Sequence, residues 1–348
     1  MVPALAVADA LRAEGAEVAF IGGERAEAEL VPAAGYELQA ISVEGLSRSN
    51  PLRALLALAR ASAALVRVRG LLARLAPDAV LGAGGYVAGP VGLAALSLRI
   101  PLVLTEADGH LGLTNRMLAP FARRVCLALP IDGRDGQRYR VTGRPVAPVV
   151  GDRASARRKL GIPPDQACVL VFGGSLGALS INMAAIGAFA QGSPAQAPFH
   201  VLHVAGRRDH PELAARSEDM GGLPAGYDLR EYLDLEDFHE ALAAADLVVA
   251  RAGGSVFEIA ANGLPAILVP YPHAAGDHQS ANARWMSEAG AALTIPDAEL
   301  SAARLGGEVA ALLADRSRLA AMAAAARRLA RPDAAREVAG ELLEAARR

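Results

Sequence analysis

The sequence predicts an α/β protein built from two domains, each a doubly wound parallel sheet. Three observations predict it. At 348 residues the chain exceeds one ordinary domain, and about 100–200 residues per domain gives two. Short apolar runs alternate with longer Ala/Leu/Arg-rich stretches at helical spacing, the signature of βαβ units. Near the middle, Thr142-Gly-Arg-Pro-Val-Ala-Pro148 carries neither signal and holds two prolines, which marks a boundary between two such series.

Taken in order, the chain opens in a helix, with Pro3 in its first turn and Leu5, Ala8 and Leu11 as its buried face. First-half strands are expected at Glu17–Ile21, Ala79–Leu81, Leu102–Leu104, Val125–Leu129 and Tyr139–Thr142. Second-half strands are expected at Cys168–Phe172, His200–Val204, Asp228–Leu233, Leu247–Ala250, Ala266–Val269 and Ala292–Ile295. Helical spacing covers Leu52–Leu75, Leu179–Gln191, His278–Ala289 and Arg304–Leu329. These elements give a first domain over residues 1–144, a linker and domain start over 145–165, a second domain over 166–330 and a C-terminal helix over 331–348.

Composition excludes several classes. With 53% hydrophobic and 21% charged residues, the chain is too apolar for disorder. A net charge of −2 gives no basis for nucleic-acid binding. Cys126 and Cys168 are far apart and outside any CxxC spacing, so they form neither a disulfide framework nor a zinc site, and reduced thiols in a cytoplasmic protein are the simpler reading. Lys159 is the only lysine among 35 basic side chains. With the abundant alanine, that reflects a GC-rich genome rather than guanidinium chemistry. The N-terminal residues lack the charged and apolar regions of a signal peptide. The uncharged run Ala79–Leu98 has membrane length, but its glycines and Pro90 read as strand, turn and helix.

Five segments can carry chemistry. Leu170-Val-Phe-Gly-Gly-Ser-Leu-Gly-Ala178 is a strand, a Gly-rich turn and a helix start. Gly173, Gly174 and Gly177 would let the backbone approach a diphosphate, or would serve a tight turn alone. Ala250-Arg-Ala-Gly-Gly-Ser-Val-Phe-Glu258 ends another strand. There Ser255 and Glu258 fit an S-x-x-E capping box, the reading spacing favours, while a carboxylate also suits the vicinal diol of a ribose. Pro270-Tyr-Pro-His-Ala-Ala-Gly-Asp-His-Gln279 offers His273, Asp277 and His278 at spacings matching no strong zinc pattern, a helix N-cap at Asp277, and Gln279 for sugar hydroxyls. Leu81-Gly-Ala-Gly-Gly-Tyr-Val-Ala-Gly-Pro90 is a second Gly-rich turn. Thr105-Glu-Ala-Asp-Gly-His110 places Glu106, Asp108 and His110 after a strand, as a general base or as turn polarity and capping.

Together with Gly112-Leu-Thr-Asn-Arg116, Val141-Thr-Gly-Arg-Pro-Val146, Ile181-Asn182, Gly263-Leu-Pro-Ala-Ile-Leu-Val-Pro270 and Asp277-His-Gln-Ser-Ala-Asn-Ala283, these segments resemble the MurG family over essentially the whole chain. The resemblance implies a GT-B fold, two Rossmann-like domains facing across a cleft. It implies inverting transfer of N-acetylglucosamine from UDP-N-acetylglucosamine to lipid I, giving lipid II for peptidoglycan. The alternatives are another UDP-sugar GT-B enzyme, such as a lipid glycosyltransferase or a UDP-N-acetylglucosamine 2-epimerase, and an inactive UDP-sugar-binding relative. By resemblance, donor contacts fall to Gly174, Ser175, Gly253, Gly254, Ser255, Glu258, His278, Gln279 and Arg144. Gly84, Gly85 and Tyr86 would meet the acceptor diphosphate, with Asp108 and Glu106 as catalytic candidates. No tightly bound cofactor or metal is implied; a divalent cation is left open but not indicated.

The chain departs from the family pattern in four places. The N-terminal strand and GGTGGH-like turn, with its histidine, have no counterpart, which points to the start of the chain; such a segment is roughly 10–15 residues. Asp108 stands where Asn is usual, Ala147 where Arg is usual beside Arg144, and Leu176 where Gln is usual. Family members bind the cytoplasmic membrane face peripherally. Leu52, Leu55, Leu56 and Leu65 among Arg53, Arg60, Arg67 and Arg69 would suit anionic lipid, or form a buried helix with a solvated basic face.

Overall fold

The computed structural model describes residues 2–24, 26–41, 65–147, 149, 151–190 and 199–347. The chain forms two compact units, Met1–Ala147 with Arg331–Arg348, and Pro148–Ala330.

The first unit runs α1 (Val2–Ala13), β1 (Ala19–Gly22), α2 (Ala26–Ala33) and β2 (Glu37–Ala40). Residues 65–75 are helical (α3). Then come β3 (Val80–Gly82), α4 (Gly85–Ser97), β4 (Leu102–Glu106), α5 (Leu113–Leu118), β5 (Arg124–Leu127) and β6 (Tyr139–Val141). Thus the uncharged run Ala79–Leu98 is a strand, a turn and a helix. No helix among the described residues is long and apolar enough to cross a membrane.

All strand pairs are parallel, but this unit holds two sheets among the described residues, β1-β2 and β3-β4-β5-β6. They share one core: Ile21 and Ile41 pack with Val80, Val91, Leu102 and Leu104. The strand β2 escaped the sequence reading. Its Glu-Leu-Gln-Ala has no β-branched residue and only one large apolar side chain.

The second unit runs α6 (Arg153–Leu160), β7 (Ala167–Phe172), α7 (Leu179–Phe189), β8 (Phe199–Val204), α8 (His210–Asp219), β9 (Tyr227–Arg230) and α9 (Leu235–Ala244). It continues with β10 (Leu247–Ala250), α10 (Val256–Ala261), β11 (Ala266–Leu268), α11 (His278–Glu288), β12 (Ala292–Thr294), α12 (Ala302–Ala314) and α13 (Arg316–Leu329). One parallel sheet of order β12-β11-β10-β7-β8-β9 runs through it. The central strands β7 and β10 are almost wholly buried, as parallel strands covered by helices on both faces must be. The stretch Arg304–Leu329, expected as one helix, is two. Asp315 breaks it by accepting the Arg318 amide at 2.9 Å, which caps α13.

The chain then returns to the first unit as α14 (Ala334–Ala346). Val338, Ala339, Leu342 and Ala345 pack there against Val7, Leu11, Val103 and Cys126. Buried Glu341 accepts from Arg124 at 2.6 Å and Arg140 at 2.8 Å, a charge taken from water only because two guanidiniums meet it.

Of the side chains expected to face lipid, Leu52, Arg53, Leu55, Leu56 and Arg60 lie outside the described residues. Leu65 packs against the first-unit core instead. Arg67 is exposed, and Arg69 donates to the Ser97 hydroxyl at 2.5 Å.

Candidate functional site

In the second sheet the chain leaves β7 toward β8 and β9, then crosses back to lay β10 on the opposite side of β7. This is a topological switch point. Loops leaving β7 and β10 diverge at their carboxyl ends, where open α/β sheets bind ligands. Three loops meet that edge: residues 173–178 after β7, 251–255 after β10 and 269–277 after β11.

Glycines in the first loop have separate tasks. A Cβ on Gly173 would lie 2.3 Å from the Ala178 Cβ, and one on Gly177 would lie 2.2 Å from the Ala205 carbonyl oxygen. Both are consumed by packing, which corrects the expectation that they make room for a ligand. Gly174 alone has open space, with φ +106° and nothing within 4 Å of its Cβ position. Beside it Ser175 and Leu176 are exposed. The Gly174–Ser175 backbone is therefore the accessible part of the turn, ahead of the amide end of α7.

In the second loop the Ser255 half of the capping box that spacing favoured is not made. Ser255 has a helical backbone (φ −64°, ψ −13°), and its hydroxyl makes no cap bond. Glu258, half-buried, lies with Oε1 4.0 Å from His239 Nε2. The loop is braced from behind. Arg251 donates to the Val269 carbonyl at 3.1 Å, to Asp297 at 2.6 Å and to the Ser180 hydroxyl at 2.8 Å. Burial alone would raise the Asp297 carboxyl, but hydrogen bonds from Ser180 and Arg251 hold it below its ordinary value. The Asn282 side-chain amide donates to the Ala252 carbonyl at 3.0 Å.

In the third loop, Gln279 Oε1 accepts the Tyr271 amide at 2.9 Å, and Gln279 Nε2 comes within 4.0 Å of the Cβ position at Gly253. Asp277 sits at the helix N-cap position, but in the left-handed region (φ 56°). Its carboxylate accepts the Ser280 hydroxyl at 2.6 Å rather than a backbone amide. His278 is half-buried at the start of α11, and His273 is exposed. Among the described residues no three His, Cys, Asp or Glu side chains gather as metal ligands. Ser175, Gly174, Gly253, Gly254, Ser255, Glu258, His278 and Gln279 thus share one unit and one sheet edge. Arg144 belongs to the other unit.

In the first unit, Gly84 and Gly85 take φ +83° and +77° with open space at their Cβ positions, where β3 turns into α4. The Tyr86 side chain lies outside the described set. Glu106 is buried and both its oxygens are occupied. Oε1 accepts the amides of Ala107 at 3.0 Å and Asp108 at 3.3 Å; Oε2 accepts the Gly112 amide at 2.8 Å and the Asn115 side chain at 2.9 Å. Asp108 is half-buried and His110 exposed on the loop that Glu106 organises. Cys126 and Cys168 are buried thiols, both pushed up to about 12 by burial.

The sequence reading missed the braces Arg251, Asn182 and Asn282. The signal was available: asparagine is a poor helix former, yet Asn182 and Asn282 lie inside α7 and α11 and are 0% and 1% exposed.

Comparison with known proteins supplies a second line. Residues 1–127 match the glycosyltransferase family 28 N-terminal domain, and residues 168–338 match its C-terminal domain. A UDP-N-acetylglucosamine–N-acetylmuramyl-(pentapeptide) pyrophosphoryl-undecaprenol N-acetylglucosamine transferase of Moorella thermoacetica is 42% identical, the match covering 95% of this chain and 92% of that protein. A protein of the same name from Rubrobacter xylanophilus is 43% identical over 98% of this chain and 99% of its own length. The crystal structure of Acinetobacter baumannii MurG superposes with TM-score 0.75 at 30% identity, covering 98% of this chain and 95% of that one. A UDP-GlcNAc 2-epimerase from Neisseria meningitidis bound to UDP-GlcNAc shares the fold, with TM-score 0.68 over 99% and 96% of the two chains, at 13% identity.

Proposed function

The chain belongs to the MurG family of glycosyltransferases, and we propose that it transfers N-acetylglucosamine from UDP-N-acetylglucosamine to lipid I, forming lipid II. One observation carries the donor half of this reading. The open Gly174–Ser175 turn, Gly253–Ser255, Glu258 and Gln279 come together at the switch point of a parallel sheet.

The donor diphosphate rests on the Gly174–Ser175 turn and the amide end of α7. Glu258 accepts from the ribose diol. Gln279 and His278 face the sugar. In the transfer the acceptor hydroxyl oxygen bonds to the anomeric carbon as the bond from that carbon to the UDP oxygen breaks. The hydroxyl proton goes to a base. We assign that base to Asp108 over Glu106, because the four donors on Glu106 leave its oxygens committed to the loop. The leaving UDP keeps the electron pair, and the α7 amides stabilise its charge. No bound metal is assigned to that step. The Gly84–Gly85 turn supplies the matching cradle for the acceptor diphosphate.

Peripheral attachment to the cytoplasmic membrane face is part of the same proposal. Leu113 and Met117 are one helical turn apart on α5 and are 55% and 61% exposed; Phe121, one turn further, is 67% exposed. Exposed Arg116 and Arg123 flank them. Apolar side chains rimmed by cations suit an anionic bilayer.

Purified protein should release UDP from UDP-N-acetylglucosamine only when a lipid I analogue is added. Acceptor-independent turnover to a 2-epimerised sugar would overturn the reading in favour of the epimerase alternative.

A further inference from the structure

Beneath the diphosphate turn lies a buried polar chain that touches no substrate in the mechanism above. It links four elements. The Tyr227 hydroxyl, from β9, is 2.7 Å from His203 Nδ1 on β8. His203 Nε2 is 3.0 Å from Asn182 Oδ1 in the first turn of α7. The Asn182 amide nitrogen is 2.9 Å from the Ala205 carbonyl oxygen and 3.1 Å from Asp209 Oδ2. Asn182 and His203 are wholly buried, and Asp209 and Tyr227 nearly so.

The direction of every link is determined. Ala205 O and the Asp209 carboxylate can only accept, so the Asn182 amide nitrogen faces them and its oxygen faces His203. That oxygen can only accept, so His203 carries its proton on Nε2. A neutral imidazole then has a bare Nδ1, to which the Tyr227 hydroxyl donates. Burial keeps the ring neutral, pushing His203 down to about 4. Protons therefore point one way, from Tyr227 to Asp209.

The far end of this chain presses on the turn. A Cβ on Gly177 would sit 2.6 Å from Asp209 Oδ2, and one on Gly206 would sit 2.1 Å from the Gly177 amide nitrogen. The Gly177 amide closes the turn onto the Gly174 carbonyl at 2.9 Å. Outside, Arg208 completes the Asp209 carboxylate at 2.7 Å. The corner at 205–209 is thus the floor on which residues 174–177 rest, and the Asn182 bonds fix that floor to the amide end of α7.

We propose that Tyr227, His203, Asn182 and Asp209 form a one-way hydrogen-bond chain that fixes the diphosphate turn, with His203 and Asn182 as positioning residues for the donor phosphates. The proposal rests on the donor site assigned above. It predicts that disturbing the chain weakens binding through the diphosphate and leaves the nucleoside contacts intact.

Two variants of the full chain test it. Asn182→Asp keeps the shape but sets a carboxylate oxygen against Asp209 and the Ala205 carbonyl. Tyr227→Phe removes only the first donor, farthest from the turn, and is the variant expected to fold with least disturbance. Binding of UDP and of uridine is measured by titration, with the donor and acceptor KM alongside. Expected are a tenfold or greater loss of UDP affinity in Asn182→Asp and about threefold in Tyr227→Phe. Uridine affinity and acceptor KM should stay within twofold. Folded variants with unchanged UDP affinity would overturn the proposal, as would equal losses for UDP and uridine, because a merely structural chain lowers stability without separating the two ligands. Wild-type protein that binds uridine and UDP equally, or neither, would instead overturn the donor site itself.

Discussion

Substituting Gly174 and Gly177 with alanine, one at a time, should separate two roles that a Gly-rich motif merges. Both glycines have positive φ, +106° and +94°, so alanine costs about 1–2 kcal/mol at each. At Gly177 the new methyl would also meet Ala205 O at 2.2 Å and Asp209 Oδ2 at 2.6 Å. Overpacking of that kind costs about 1–3 kcal/mol more, for a total near 3 kcal/mol. In a unit of this size that lowers Tm by about 6–12 °C. At Gly174 the methyl meets nothing, so Tm should fall by only about 2–8 °C, while the methyl occupies the space assigned to the diphosphate. Calorimetric melting with UDP titration reads both. The reasoning predicts at least tenfold weaker UDP binding by Gly174→Ala, about 1.4 kcal/mol. It is refuted if Gly174→Ala binds UDP normally, or if Gly177→Ala melts no lower than Gly174→Ala.

Other consequences can be measured in the same way. Glu258→Ala should raise the donor KM at least tenfold; unchanged KM with a lower Tm would restore the capping role. Asp108→Ala should lower kcat by about 10²–10⁴-fold at constant Tm, whereas Glu106→Gln should loosen the 106–112 loop and lower Tm first; the reverse pattern would make Glu106 the base. His203 has a lowered folded value, so its contribution to stability is full above pH 6.5 and is lost as pH falls toward 4. It amounts to about 2 kcal/mol by pH 5, and urea unfolding of His203→Gln should lose that much of the pH dependence. Replacing Leu113, Met117 and Phe121 together with serine should abolish binding to anionic vesicles and leave UDP affinity unchanged; retained vesicle binding would remove this stripe from the membrane face.

Local chemistry made much of the fold legible. Apolar runs such as Val169-Leu-Val-Phe172 are central strands because both faces are covered, and the glycines after them mark sharp turns into helices. The strand β2 was not legible, since Glu-Leu-Gln-Ala gains strand character only by pairing with β1. Nor could spacing show that Gly177 serves packing while Gly174 stays open. That difference is imposed by the 205–209 corner, some thirty residues later in the chain. The Arg124–Glu341 pair, which seats α14 on the first unit, joins residues more than two hundred positions apart. Ser255 and Glu258 show the opposite failure. Their spacing matched a local motif, yet α10 begins with Ser255 already helical, so its hydroxyl is directed elsewhere.

The most direct test of the central claim is the product itself. Full-chain protein is incubated with UDP-N-acetylglucosamine labelled in the sugar and a lipid I analogue, and the new linkage is read by NMR. The account predicts one labelled N-acetylglucosamine per acceptor, joined to the muramoyl 4-hydroxyl with inverted, β, configuration, and one UDP released per bond formed. Retained α configuration, or UDP release with no labelled acceptor, would contradict it.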